Sequence, residues 1–580
     1  LKKRLLAGLG ALVVIVAACG GAASPSPSTA PGSTEPSAAP SATESNLAAD
    51  QVLRIDLGNE PPTLDPNLAQ DSTSIAVLKG LNRGLVYFDK DLNVVPSLAS
   101  SWEFSPDGLT ITFHLIDAKY SNGDPIKAGD FVYGWRRLMD PRIAAPYNYV
   151  MGPLAGSDAL FAMAGQDPLP SDADIDAALA NLGVAAPDDK TFVVTLASPA
   201  TYFLSIAALW ICVPVEESWI TSTGATEAGN YVSSGPFVLD QWDHNNSIVL
   251  KPNPNWYGTA PTLTEIDMSM TAEPAQAEAA YESGALDMVL VPSADLRRVK
   301  DDPKLGPQVL DVPQFSVAYY GFGSCSADSV AAGVKCDPTV PTSNKELRIA
   351  LTQAIDKQAL IDTTYGGTGA VANSFIMPGI PGADVNLNVY PFDVASAKTH
   401  LATALTQLGL TDASQLPVLK LGYNTGSDHE TRVAFMAEAW RTNLGINTEQ
   451  VGEEWATFLT DRHKGAFALS RNGWGADYPH ASNQLDGLFT CGGGNNDEQY
   501  CNPAFDALVK QAAGESDQTK QVALYKQAQE MLMADAPFVP LRFTTARFLV
   551  APYLGGIHAT GSDAQLPGDN FYEDIQILKH

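Results

Sequence analysis

From Leu53 onward the hydrophobic period of the chain switches repeatedly between that of a strand and that of a helix, and this constrains the fold most. Leu53, Ile55 and Leu57 alternate with Arg54 and Asp56, the pattern of a half-buried strand. Residues 109–115 alternate again after the turn Ser105-Pro106-Asp107-Gly108, and strand-like runs recur at 191–196, 237–241, 247–251, 418–423, 446–451 and 467–471. Between them lie helical stripes. One covers 128–139 and stops at Asp140-Pro141; another places Leu347, Ala350, Leu351, Ala354 and Ile355 on one face, with Ser343 or Asn344 as its cap. Val433, Met436, Ala437 and Trp440 repeat the spacing, as do Leu524, Ala528, Met531 and Leu532. Such stripes predict core. Strands and helices interleaved in this way predict an α/β protein, not a sandwich or a bundle, and no tandem repeat is present.

At 580 residues the chain exceeds one ordinary domain, so two or three lobes are expected. A formal charge of −30 excludes nucleic acid as the natural partner, since phosphate is bound through an excess of Lys and Arg. Residues 1–19 read as a targeting segment: Lys2, Lys3 and Arg4 precede an apolar run that ends Val16-Ala17-Ala18-Cys19-Gly20. That ending resembles a bacterial lipobox with Cys19 as the acylated residue. Residues 20–50 are Ser, Pro, Ala, Thr and Gly with almost no large apolar side chain, and predict a disordered tether. Its typical span is roughly 30 Å.

Five further cysteines remain. Cys325 with Cys336, and Cys491 with Cys501, each enclose a polar loop that a disulfide could staple, and Cys212 sits in an apolar run as a buried thiol. A metal site competes poorly, because no C-x-x-C or neighbouring His accompanies them. Catalytic signatures are missing as well: there is no G-x-S-x-G, no phosphate-cradling loop, and Val433 stands where a second zinc histidine would be needed after His429-Glu430.

The densest chemistry lies at Glu454-Trp455 and at Arg471-Asn472-Gly473-Trp474-Gly475-Ala476-Asp477-Tyr478-Pro479. Gly473 and Gly475 let another backbone approach closely, and Asp477 among aromatics is suited to hold a cation. A surface loop with a capping Asp is the plainer reading of the same residues.

Several motifs in fixed order then carry a resemblance. They are Pro62-Thr63-Leu64-Asp65-Pro66, Leu98-Ala99-Ser100-Ser101-Trp102, Phe131-Val132-Tyr133-Gly134-Trp135-Arg136-Arg137, Gly235-Pro236-Phe237, Leu347-Arg348-Ile349-Ala350-Leu351, Asn443-Leu444-Gly445-Ile446-Asn447 and the dense stretch itself. From about residue 51 to His580 the chain resembles the peptide/nickel-binding group of bacterial solute-binding lipoproteins that serve ABC importers. The resemblance implies a three-lobed periplasmic-binding-protein-like clamp (class II, large peptide-binding type) with hinge closure. Lobe I would comprise 51–82, 216–314 and 546–580, lobe II 83–215, and lobe III 315–545. It implies no catalysis and no cofactor or metal. The implied partners are an oligopeptide, the transmembrane subunits of an ABC permease and, through Cys19, the cell membrane. The protein would act as an extracytoplasmic monomer, in a periplasmic space or at a cell surface.

The same resemblance implies roles for residues. An extended peptide would pair with the edge at Gly473, Trp474 and Gly475, opposite a segment near Gln70–Ser72 that includes Asp71. Asp477 would hold the ligand α-ammonium, Arg471 and Arg462 could meet a carboxylate, Trp455 would wall a side-chain pocket, and Tyr147 would face the ligand from lobe II. Two departures stand out: Thr544 replaces a ligand-facing tyrosine, and neither Gly475 nor the region of Ser316 carries the cysteines of a familiar cleft-side disulfide. A nickel chelate or a sugar-like solute on the same fold, or a lipoprotein hydrolase, remain the alternatives.

Overall fold

The structure, a computed structural model, describes residues 46–580 except 272, 293–294, 426–428, 454 and 494, and describes no side chain for Trp455 or Ala456. The lipobox with Cys19, and the tether up to residue 45, therefore lie outside the described residues. Leu47–His580 forms one unit.

Two strands set its layout. Val309–Phe322 has 14 residues and Phe538–Val550 has 13, and they pair antiparallel near the middle of an eleven-stranded sheet. At ~3.3 Å per residue each spans roughly 45 Å, about twice the usual strand. On one flank the sheet continues through Leu469–Gly475, Leu419–Asn424 and Thr448–Glu453; on the other through Met288–Leu290, Val52–Asp56, Glu265–Ser269, Ser247–Pro252 and Phe237–Asp243. The two long strands are thus the members common to both halves. Along Val309–Phe322 the side chains alternate faces. Val317 and Tyr319 enter a core beneath helices Ala481–Phe489, Pro503–Ala513 and Gln518–Asp535, while Tyr320 and Phe322 enter one beneath Lys345–Gln353, Val394–Gln407 and His429–Leu444.

The ladder between the long strands is interrupted once where it matters for the site. Pro313 pairs with Thr545 and Val317 with Phe543, so Gln314, Phe315 and Ser316 oppose Thr544 alone. Pro313 has no N–H to give the ladder, and the extra residues bulge out of the sheet. The Phe315 amide instead donates to the Gly561 carbonyl at 3.1 Å, and its own carbonyl accepts from the Ala476 amide at 2.8 Å.

Residues 99–195 supply a separate four-stranded sheet in the order Ala99–Phe104, Thr110–Leu115, Thr191–Thr195, Val184–Asp188. Helix Ala128–Met139 covers it, with the expected bounds, and packs Phe131 and Trp135 on Phe192 at centroid distances of 5.6 and 5.0 Å. Asn344, not Ser343, caps Lys345–Gln353. The cysteines form Cys325–Cys336 and Cys491–Cys501, and Cys212 is a buried free thiol. The tether was expected to reach residue 50, but Leu47 bridges Leu578 and the Ala48 amide donates to Ile577 at 2.8 Å. Residues 47–50 therefore belong to the folded unit, because main-chain bonds to the C-terminal strand hold them there.

One polar link ties the two sheets together. Arg137 grips Asp65 with two bonds of 2.8 and 2.6 Å and donates to Asn67 at 2.8 Å, joining two motif segments far apart in sequence. Both charges are largely buried, so removing one strands the other in low dielectric. Arg137→Ala is expected to lose about 3–5 kcal/mol in urea unfolding; an unchanged midpoint would contradict this account.

Candidate functional site

A cavity of about 360 Å³ opens beside the bulge. Helix Ser72–Leu81 supplies one wall through Ile75, Leu78 and Lys79; Tyr147 and Trp210 supply a second; Gln314–Ser316 and Gly475–Asp477 a third; and Gly561–Ala564 a fourth. The walls come from both flanks of the eleven-stranded sheet and from the four-stranded sheet's lobe, which makes the cavity an interlobe cleft. Its size falls within the ordinary range for ligand sites, and most of its walls are apolar or aromatic.

Asp477 occupies the third wall. Its Oδ2 accepts from the Tyr149 hydroxyl at 3.1 Å and from Asn483 Nδ2 at 2.9 Å, and its amide donates to Asn483 Oδ1 at 3.1 Å. Asn483 also accepts from Trp474 Nε1 at 2.8 Å. Tyr147, 5.4 Å from Tyr149 and 4.9 Å from Trp210 between ring centroids, is a further donor to the carboxylate. Burial raises the Asp477 carboxyl above the ordinary range, and the bonds from Asn483, Tyr149 and Tyr147 oppose that rise. Two other buried aspartates are neutralised by a cation, Asp65 by Arg137 and Asp497 by Arg462. No Lys, Arg or His lies within ion-pair distance of Asp477 among the described residues.

The strand carrying this wall has a bare edge. Leu469–Gly475 pairs throughout with Val309–Phe322, from Leu469↔Phe322 to Gly475↔Ser316. On its other side the ladder with Leu419–Asn424 ends at Ser470, so Asn472–Gly475 have no strand alongside there among the described residues. Built Cβ atoms at Gly473 and Gly475 would meet nothing closer than 3.4 and 4.0 Å, so the glycines matter here by leaving the edge clear.

The other expected site residues are distributed unevenly. Tyr147 and Gly475 line the cavity, while Trp474 is half-buried against the neighbouring core. Asp71 does not reach the cavity: it caps helix Ser72–Leu81, its Oδ1 accepting from the Ser74 amide at 2.9 Å, and Gln70 and Ser72 on either side face the cavity instead. Arg462 is engaged elsewhere, since its Nε sits 2.7 Å from Asp497 and its Nη1 donates to Asn472 at 3.2 Å. The Trp455 side chain lies outside the described residues. Arg471 stands beyond the cavity in a cationic cluster: the guanidinium carbons of Arg432 and Arg542 lie 4.1 and 3.9 Å from the centre of the Tyr365 ring. Burial, with Arg471 and Arg432 nearby, holds His429 down at about 4, and burial likewise lowers Arg471. Tyr149, Asn483, Phe315 and the loop 561–564 escaped the sequence reading; only the Tyr147-x-Tyr149 spacing hinted at the first.

Among family models, that of the bacterial extracellular solute-binding proteins, family 5 (middle), matches residues 93–496. The chain belongs to this family. As a family 5 protein it is a solute-binding protein of the peptide/nickel type and not an enzyme. It is 31% identical over 527 residues to the oligopeptide-binding protein OppA of Bacillus subtilis (strain 168), covering 88% of this chain and 91% of the relative. It is also 31% identical to the periplasmic oligopeptide-binding protein OppA of Salmonella typhimurium, with 92% and 94% covered. Among solved structures, the unliganded open form of the murein tripeptide-binding protein MppA superposes with a TM-score of 0.76 at 26% identity, over 92% of this chain and 98% of that one. Haemophilus influenzae OppA in complex with RPPGFSPFR gives 0.68 at 27%, over 92% and 100%. The fold is the class II clamp of these proteins. No helix among the described residues is long and apolar enough to cross a membrane.

The raised Asp477 carboxyl has a consequence for stability whose sign is fixed. A carboxyl raised by folding binds its proton more tightly in the folded state, so its contribution is best below the unfolded value and is lost as pH climbs through the folded one. Ionised Asp477 therefore costs stability at neutral pH. Asp477→Asn is expected to unfold at higher denaturant than the parent at pH 7, with the gap closing below about pH 4; a less stable variant at pH 7 would reverse the assignment.

Proposed function

We propose that this family 5 protein captures oligopeptides in an extended conformation and delivers them to an ABC permease. The observation that carries the reading is Asp477: a carboxylate on the cleft wall, held only by neutral donors among the described residues and adjacent to a bare strand edge. Its charge is left for a guest. An α-ammonium there gains a charge-assisted bond worth about 1.5–3 kcal/mol. The edge Asn472–Gly475 takes the ligand backbone by β-augmentation, which accepts many side-chain sequences. Arg471 lies four residues before Gly475, about 13 Å along the strand, and its cationic surroundings suit a carboxylate at the other end of a short peptide. The names of the OppA relatives, and the peptide held by the Haemophilus influenzae protein, support this reading.

Lobes I, II and III, with the boundaries expected from the sequence apart from the earlier start at Leu47, close over the ligand by a hinge. Acylated Cys19 and the tether keep the protein at the outer face of the cell membrane as a monomer. A relative 30% identical is named a probable deoxycholate-binding periplasmic protein, YgiS of Escherichia coli. An anionic steroid would meet repulsion from Asp477, so the geometry favours a guest with an amino group.

Titration calorimetry of a peptide mixture, free and N-acetylated, tests the reading. Free peptides are expected to bind about 10- to 100-fold more tightly, and Asp477→Asn to remove that difference, at 1.4 kcal/mol per decade. Equal affinity for both peptide forms would reject the ammonium role. Separately, Cys19→Ser is expected to move the protein from the membrane fraction to the medium or periplasm; retention on the membrane would reject the anchor.

A further inference from the structure

Immediately after Asp477 the chain changes cores. Trp474, Ala476 and Ala481 pack with the core beneath helices Ala481–Phe489, Pro503–Ala513 and Gln518–Asp535. Tyr478, between them, is buried in the core that includes Phe203 and Trp135 of the lobe built on the four-stranded sheet. Tyr478 thus packs in a different core from its chain neighbours Ala476 and Ala481, against Tyr202 of the segment that follows the four-stranded sheet.

Tyr202 holds it there. Its ring lies within 4° of parallel to Tyr478 at a centroid distance of 6.2 Å, and at 26° and 5.6 Å to His480. His480 also meets Tyr525 edge to face, at a centroid distance of 5.4 Å. Hydrogen bonds run the same way. His480 Nδ1 accepts from the Ser482 amide at 3.2 Å, which leaves Nε2–H to donate to Gln521 Oε1 at 3.2 Å. Gln521 Nε2 then donates to Thr201 Oγ1 at 2.6 Å, and the Thr201 amide donates to Ala513 at 3.3 Å. Burial keeps His480 near 4, so at neutral pH the ring is uncharged and the relay keeps one direction. None of Thr201, Tyr202, Tyr478 and His480 lines the ligand cavity.

Adjacent Cα atoms are fixed ~3.8 Å apart, so locking Tyr478 locks the backbone of Asp477. Without that anchor the carboxylate would depend on Asn483 and on Tyr147 and Tyr149, which reach it from the other side of the cleft. We propose that Tyr202 is a positioning residue that acts through Tyr478 to hold Asp477 opposite Tyr147 and Tyr149, and so couples recognition of a free ligand amino terminus to contact between the two lobes. The inference rests on the ammonium role proposed for Asp477.

Two variants of the full chain test it. Tyr202→Ala removes the stacked face without touching Asp477, and Tyr202→Phe keeps it. The ratio of affinities for free and N-acetylated peptide is expected to fall about tenfold in Tyr202→Ala and to stay at the parent value in Tyr202→Phe. Hydrogen–deuterium exchange of residues 476–483 in the unliganded protein should rise in the alanine variant alone. A purely structural role would lower melting temperature while leaving the affinity ratio intact, and that result overturns the proposal, as does unchanged exchange. A parent protein with no preference for free peptide rejects the ammonium role instead; the exchange comparison then decides the positioning claim by itself.

Discussion

The pairing of Val309–Phe322 with Phe538–Val550 is the constraint on which the molecule depends. Each half of the large sheet needs these strands, so neither half could be completed by its own sequence neighbours. The ladder is also where the cleft is made. Three residues facing Thr544 alone cannot remain in register, and the slack pushes Phe315 toward Gly561 on one side and Ala476 on the other. A local failure of pairing in the most extended element thus brings the third and fourth cavity walls together. The strand edge at Asn472–Gly475 keeps its pairing with the same long strand, from Asn472↔Tyr319 up to Gly475↔Ser316 within the irregularity.

Charge is managed with the same economy. The chain is strongly acidic, and three of its cations sit beside buried acids: Arg137 at Asp65, Arg462 at Asp497, Lys79 at Asp569. Asp477 receives amide and phenol donors instead. These soften the cost of its burial without neutralising it, which is the condition for a site that must attract a cation. The apolar lining of the cleft comes from Ile75, Leu78, Trp210 and Phe315.

Much of this was legible in the sequence. Helix Ala128–Met139, the stripes ending in Trp440 and Leu532, and strands such as Val52–Asp56, Thr110–Leu115 and Leu419–Asn424 announced themselves through local periodicity, because each buries one face. The position of Asp477 among aromatics was visible too. The long strands were not: Pro313 and Pro540 interrupt their patterns, Arg542 and Arg547 dilute them, and the partner of each is more than 200 positions away. Asp71 and Arg462 show why residue type is an uncertain guide to a site. An acid before a helix competes for the ligand role with the helix's own unsatisfied amides, and here the amides have it. An arginine can be claimed by an aspartate from a distant loop, as Arg462 is by Asp497, and nothing local in the sequence foretells that. Tyr149 was missed for the opposite reason, being an exposed ring whose importance depends on a partner 328 positions later.

The junction of Leu47–Ala48 with Ile577–Leu578 makes the described chain almost a closed ring, its entrance and exit zipped side by side. A load applied through the preceding segment is met at that seam in shear, by main-chain bonds and by the Gln51 side chain that bridges Ala48 and Ile577. The order in which the ribosome delivers the pieces is inessential: joining the two ends and opening a surface turn elsewhere would preserve every ladder, a circular permutation the architecture already anticipates.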